Sequence, residues 1–228
     1  ITGDAGRDRI FGGNRNDSIT GNEDDDIIFG DHGRLDYAID GDLATLDQAL
    51  GIDADQGGND TINGNDGNDL IMGGEANDRI TGETGNDIIF GDSSQVDWQG
   101  GQLSQLQTIE PGQGGNDTIT GDAGRDRIFG GRGSDKITGD ANPDIILGDH
   151  GIIDYAADGD LTTIDRIATT DPAIAGRDRI SGDQGDDRIL GGHGNDVISG
   201  DQGVDQILGD NGQLLYDGGI LSRIETTD

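Results

Sequence analysis

Fifteen aspartates stand at matched places in this sequence: Asp8, Asp17, Asp26, Asp60, Asp69, Asp78, Asp87, Asp117, Asp126, Asp135, Asp144, Asp178, Asp187, Asp196 and Asp205. Each is the sixth residue of a nine-residue unit that usually opens on glycine and has isoleucine eighth. The clearest run, over residues 112–147, reads GQGGNDTIT, GDAGRDRIF, GGRGSDKIT, GDANPDIIL. Glycines at positions one, two and four allow φ > 0 and a tight turn that points carbonyls inward. Aspartate is short enough to stay at such a turn. Carbonyls plus a carboxylate make an all-oxygen cage, and a cage of six to eight oxygens at roughly 2.3–2.6 Å suits calcium. Magnesium demands a smaller octahedron, and softer metals want His or Cys.

The elements that must hold these aspartates follow from the period itself. Position nine alternates between apolar and polar without a miss: Phe11, Thr20, Phe29, then Asn63, Met72, Thr81, Phe90, and so on to Leu208. Two units per turn explain the alternation, with odd and even units on opposite parallel sheets. The chain leaves the period after Gly30-Asp31, Gly91-Asp92, Gly148-Asp149 and Gly209-Asp210, starts that lie 61, 57 and 61 residues apart. The predicted fold is all-β: a right-handed parallel β-roll with two nonapeptides per turn and four hairpin-like insertions of about 20–25 residues. It reads as one solenoid of four super-repeats, 1–54, 55–111, 112–172 and 173–228, each ending in an insertion.

Position nine makes the two sheets unlike. One presents Thr20, Asn63, Thr81, Thr120, Thr138, Ser181 and Ser199; the other presents Phe11, Phe29, Met72, Phe90, Phe129, Leu147, Leu190 and Leu208. A continuous apolar strip wants a cover or a partner. The insertions carry DG or GG turn signals between apolar segments, which predicts hairpins folded onto that sheet. The expected arms are Tyr37–Ile39 with Leu43/Leu46, Val96/Trp98 with Leu103/Leu106, Tyr155 with Leu161/Ile164, and Tyr216 with Leu221/Ile224. A short helix for the second arm is the competing reading.

Composition bounds the partners. Asp+Glu number 47 against 14 Lys+Arg, a formal net charge of −33, and only 30% of residues are hydrophobic. Such a chain is expected to be disordered until a multivalent cation folds it. Nucleic acid and anionic membrane surfaces are poor partners for it. No apolar run reaches the ~18 residues of a membrane-spanning helix. There is no cysteine, hence no disulfide framework or thiol catalysis. No signal peptide is visible. Since Ile1-Thr2 match the last two positions of a unit, the sequence is expected to be a segment of a longer repetitive protein.

The unit resembles the GGxGxDxUx nonapeptide (U a large apolar residue) of the RTX, or haemolysin-type, calcium-binding family. The resemblance implies that six residues of each unit form a turn and three a strand. It also implies that each ion lies between stacked turns, held by carbonyls and by the sixth-position aspartates of both. One edge would then carry Asp8, Asp26, Asp69, Asp87, Asp126, Asp144, Asp187 and Asp205; the other Asp17, Asp60, Asp78, Asp117, Asp135, Asp178 and Asp196. The insertions all interrupt the second edge, so its ladder is expected to be perturbed. In the GD turns Leu35, Val96, Ile153 and Leu214 take the aspartate's place, with Asp36, Asp97 and Asp154 as possible substitutes. About a dozen calcium ions would cancel about 24 of the 33 negative charges.

Other chemistry is thin. His32, His150 and His193 read as solvated turn residues, and no HExxH or GK[ST] string occurs. The DGD stretches at Asp40–Asp42 and Asp158–Asp160 read as turns, with an extra calcium site as the rival reading. Nothing looks catalytic. The expected function is a calcium-binding structural segment of a secreted or cell-surface bacterial protein: an adhesin, matrix component, filament or surface layer. Type I secretion is implied by the resemblance, and copies could join end to end or side by side. The alternative is the calcium-binding region of an exoenzyme or toxin whose active domain lies outside these residues. Ice binding through the Thr/Asn/Ser row is disfavoured by Arg79, Lys136 and Arg179 on the same face.

Overall fold

The structure, a computed structural model, describes residues 1–52, 57–171, 173–174 and 176–227. Among them there is no helix. Twenty-four strands form three eight-stranded sheets. Two are parallel and are built from alternate nonapeptides. The polar sheet stacks Thr2–Ala5, Ser18–Glu23, Thr61–Asp66, Arg79–Thr84, Thr118–Ala123, Lys136–Ala141, Arg179–Ser181 and Val197–Ser199. The apolar sheet stacks Arg9–Phe11, Ile27–Phe29, Leu70–Met72, Ile88–Phe90, Arg127–Phe129, Ile145–Leu147, Arg188–Leu190 and Gln206–Leu208. Within each sheet, position seven pairs with seven and nine with nine, as in Ile88↔Arg127 and Phe90↔Phe129.

Between the two parallel sheets lies a core of one residue type. The eighth-position isoleucines from Ile10 to Ile189 pack into one cluster, with Ile198 packed against it, and most are wholly buried. Isoleucine suits the place because its β-branched side chain fits a pleated, crowded surface. One such residue per unit is a thin core, so the turns must contribute much of the order.

The third sheet is the cover. Each insertion is an antiparallel hairpin, and the four hairpins pair with one another in chain order into one continuous sheet. Its inner row runs Leu35, Ala49, Val96, Leu106, Ile153, Ile167, Leu214, Ile224, each opposite the next. All of this row but the exposed Ile224 packs on the position-nine residues; Phe29, Met72, Phe90, Phe129, Leu147 and Leu190 belong to the same buried cluster. Phe90 and Phe129 stack at 4.5 Å between ring centroids. The predicted cover is therefore present, and both arms of each insertion are strands. The register of the cover explains the missing aspartates: Leu35, Val96, Ile153 and Leu214 point onto the apolar sheet, where a carboxylate would be stranded.

Two of the four hairpins are built differently from the expectation. In the second, Val96 faces Leu106 and Trp98 faces Leu103; in the fourth, Leu214 faces Ile224 and Tyr216 faces Leu221, as the apolar spacing suggests. In the first and third the arms lie farther out, Gly33–Asp36 with Gln48–Gly51 and Gly151–Asp154 with Arg166–Thr169. Leu43 is 73% and Ile39 61% exposed, so that stretch is a broad loop. Its carboxylates are used locally: Asp47 accepts from the amides of Ile39 and Asp40, and Asp40 from that of Asp42. Asp165 and Asp158 repeat these bonds in the third insertion. The DGD stretches are turns.

The roots of the hairpins are latched to the roll. Arg9 Nε donates to the Tyr37 hydroxyl at 2.6 Å and Arg127 Nε to that of Tyr155 at 2.7 Å. Arg188 lies 5.7 Å over the Tyr216 ring. In the second block the equivalent pair is Leu70 and Trp98, both in the apolar cluster. The partner of the hydroxyl is lost where the hydroxyl is lost.

Candidate metal edges

Each turn must reverse the chain in six residues, and in most of them position four takes a positive φ. The four units without glycine there show it plainly: Arg15, Asp24, Ala76 and Asn142 have φ of 76°, 76°, 73° and 79°. An L-residue in that region costs roughly 1–2 kcal/mol. Position one has a different constraint. A Cβ on Gly121 would sit 2.5 Å from Asp126 Oδ2 and 3.0 Å from the Gly139 carbonyl oxygen of the next turn. The glycine is there because oxygen atoms occupy the space.

The fifteen aspartates form two ladders. On the first edge the amides of Asp8, Asp26, Asp69, Asp87, Asp126, Asp144 and Asp187 donate to Oδ1 of the next aspartate at 2.8–3.1 Å, ending on Asp205. On the second edge Asp17, Asp60, Asp78, Asp117, Asp135 and Asp178 do the same at 2.7–2.9 Å, ending on Asp196. These are the two groupings expected from the sequence. The expected perturbation of the second edge is absent from its carboxylates. Each of the first three insertions leaves and returns within one turn, so its first glycine and last aspartate meet as in an ordinary turn: Gly30 with Asp60, Gly91 with Asp117, Gly148 with Asp178.

The other carboxylate oxygen is left bare. In thirteen of the fifteen aspartates, all but Asp17 and Asp205, Oδ2 is buried and has no hydrogen-bond partner among the described residues. Burial pushes several of these carboxyls up: Asp78 to about 10, Asp135 to about 9, Asp87 and Asp144 to about 8. The charges of neighbouring aspartates add to the shift, Asp117 acting on both Asp78 and Asp135. A row of bare, desolvated oxygens facing backbone carbonyls fits a hard divalent cation, which removes both the desolvation cost and the mutual repulsion. No group of three or more His, Asp or Glu side chains converges on one point among the described residues. The cage would be completed by carbonyls, as the glycine-rich turns suggest.

Asp36, Asp97 and Asp154 do not substitute on this edge. They lie on cover-sheet strands, where Asp97 accepts from the Gln48 and Gln95 amides and Asp154 from the amide of Ala156. His193 is exposed as expected, but His150 is 99% buried, its ring enclosed where the second and third insertions meet the roll. Burial lowers its pKa.

Two features escaped sequence reasoning. The first is a clip at each of the first three insertions. Asp31 accepts from the amides of Gly58 at 3.0 Å and Glu75 at 2.8 Å. Asp92 accepts from those of Gly115 and Arg132, and Asp149 from those of Gly176 and His193. One carboxylate thus ties the returning chain and the following turn together. Space for it comes from Gly74, Gly131 and Gly192, whose absent Cβ atoms would strike it. The alternation of GD in inserted turns with GG in plain turns of the same edge was the available signal. The second feature is a ladder at position five, where Asn16, Asn59, Asn77 and Asn116 each accept, through the side-chain oxygen, the amide of the next turn.

The chain matches the family model of the RTX calcium-binding nonapeptide repeat over residues 2–34, 55–79, 64–94, 111–146 and 173–212. These stretches make up more than half of its length, and the gaps between them hold most of the cover sheet. A comparison with curated proteins finds no match. Periodic turns, paired aspartate ladders and the family match agree: this chain belongs to the RTX calcium-binding nonapeptide repeat family.

Proposed function

We propose that the chain is a calcium-stiffened structural segment of a secreted or cell-surface protein, such as an adhesin, matrix component, filament or surface layer. The observation that carries this reading is the pair of uninterrupted aspartate ladders with bare inner oxygens, running the length of a roll whose insertions are spent on a cover sheet. Its ligands are Asp8, Asp26, Asp69, Asp87, Asp126, Asp144, Asp187 and Asp205 on one edge. On the other they are Asp17, Asp60, Asp78, Asp117, Asp135, Asp178 and Asp196. Each ion sits between successive turns, about a dozen in all.

The organisation proposed is four blocks, 1–54, 55–111, 112–172 and 173–228. Each contributes turns to the roll and one hairpin to the cover. Type I secretion in the unfolded state, followed by folding in millimolar calcium outside the cell, matches a chain whose binding energy is its folding energy. Eight strands at about 4.8 Å spacing make a rod on the order of 40 Å long. Small-angle scattering tests the reading. Calcium should yield a compact particle of that length, and a chelator an expanded coil with a radius of gyration of about 50 Å. Equal dimensions in both conditions would refute it.

A further inference from the structure

The outward face of the polar sheet carries no carboxylate at positions seven and nine, in a chain with 47 acidic residues. Position seven there presents Arg79, Thr118, Lys136 and Arg179 in direct register, one strand after another. Beside it position nine presents Thr81, Thr120, Thr138 and Ser181, also in register. Arg79, Lys136 and Arg179 are exposed, and none forms a salt bridge among the described residues. On the adjoining second edge position five holds asparagines, Ser134 and Arg177, and most of the ladder aspartates beneath it are buried. Over Lys136, Thr138, Arg179 and Ser181 the surface dips into a groove of about 300 Å³.

We propose that this strip binds a linear polysaccharide bearing carboxylate or sulfate groups, lying along the rod axis. The net charge of −33 repels polyanions from the rest of the surface; this strip of unpaired cations is the local exception, and its charge complementarity selects a polyanion. Lys136 and Arg179 stand on adjacent strands, about 4.8 Å apart, and Arg79 stands two strands from Lys136, about 10 Å away, so the three can take acidic groups spaced along one polymer, with Arg179 offering a two-pronged contact. In the adjacent row Thr81, Thr120 and Thr138 supply donors and acceptors for sugar hydroxyls at the same period, while Ser181 already donates to Asp201 at 2.7 Å. The face carries no aromatic residue on which a nucleic-acid base could stack. An open, periodic strip suits an extended polymer better than a compact ligand. The acidic residues Asp140, Asp183 and Asp201 lie beyond the hydroxyl row, on the far side from the cations, and confine the polymer to the basic side. The inference requires the folded roll but not the surface-structure role proposed above.

The test uses the full calcium-loaded chain and titration calorimetry with three probes: short oligogalacturonate, dextran sulfate and neutral dextran. Binding of oligogalacturonate or dextran sulfate, or both, is expected, weakening with added salt, and dextran should not bind. Which anionic probe binds separates carboxylate from sulfate recognition. The double variant Lys136→Gln/Arg179→Gln should lose at least tenfold in affinity while its calcium-induced circular dichroism is unchanged. Arg34→Gln, on the cover sheet, should bind as the parent does. The proposal is overturned if neither anionic probe binds, if dextran binds equally, or if the double variant binds undiminished. Equal loss in Arg34→Gln would reduce the effect to net charge. Self-association abolished by the double variant, with no polysaccharide binding in the parent, would assign the face to a second copy instead.

Discussion

A buried carboxylate with one oxygen bonded and the other bare is stable only if something neutral or positive meets the bare oxygen. Protons can do this as well as calcium, which fixes the sign of the pH dependence. The folded-state pKa of Asp78, Asp87, Asp135 and Asp144 is raised above 3.8 by burial first and neighbouring charges after. The metal-free roll therefore holds more protons than the unfolded chain, and its stability falls as pH rises through the interval between those values. In a chelator, β-structure should increase as pH is lowered from about 8 toward about 4, whereas calcium affinity should weaken over the same range. A chelated chain whose spectrum ignores pH would contradict the ladder geometry. The two edges are also expected to behave alike: Asp87→Ala and Asp78→Ala should each weaken calcium cooperativity to a similar degree, since both ladders are continuous. A calcium titration followed by circular dichroism compares them, and a markedly larger loss in one would show that the insertions disturb their edge after all.

At the scale of elements, the turns and the cover make separate demands. Ala76 occupies a left-handed position, φ 73°, so Ala76→Gly should stabilise the calcium-loaded roll by about 1 kcal/mol, against the usual direction for a glycine substitution. Urea unfolding in calcium measures it; a destabilised variant would mean that the turn is held differently. Asp92→Ala should cost about 1–3 kcal/mol for each amide it orphans, Gly115 and Arg132 being the two donors. Asp92→Asn, which keeps an acceptor oxygen, should lose less. The same unfolding assay would expose a dispensable clip as two variants indistinguishable from the parent. The strict period makes the two parallel sheets, the isoleucine core and both aspartate edges legible in the residues alone. The alternation at position nine even locates the cover. What stays hidden is set by pairing between distant segments. Asp31 finds its partners 27 and 44 residues away, and the arms of the first hairpin are chosen by register with Ala49 and Val96 rather than by their own spacing. His150 is buried because two insertions close over it, which no local pattern announces.

The whole molecule is a balance between charge and a thin core. A net charge of −33 over 228 residues opposes compaction, and the inner stack contributes one isoleucine per unit. Replacing a wholly buried member, Ile128→Ala, should cost about 2–5 kcal/mol even in saturating calcium, while leaving the metal stoichiometry of the folded fraction unchanged. The cover sheet buries the apolar face that the roll cannot bury itself, and on the proposed reading the ions neutralise the edges. The central claim is that calcium is the switch between these states. Far-ultraviolet circular dichroism of the chain in EGTA, and again after calcium is restored, tests it most directly. A disordered spectrum converting cooperatively and reversibly to a β-sheet spectrum is expected; identical spectra in the two conditions would contradict the account.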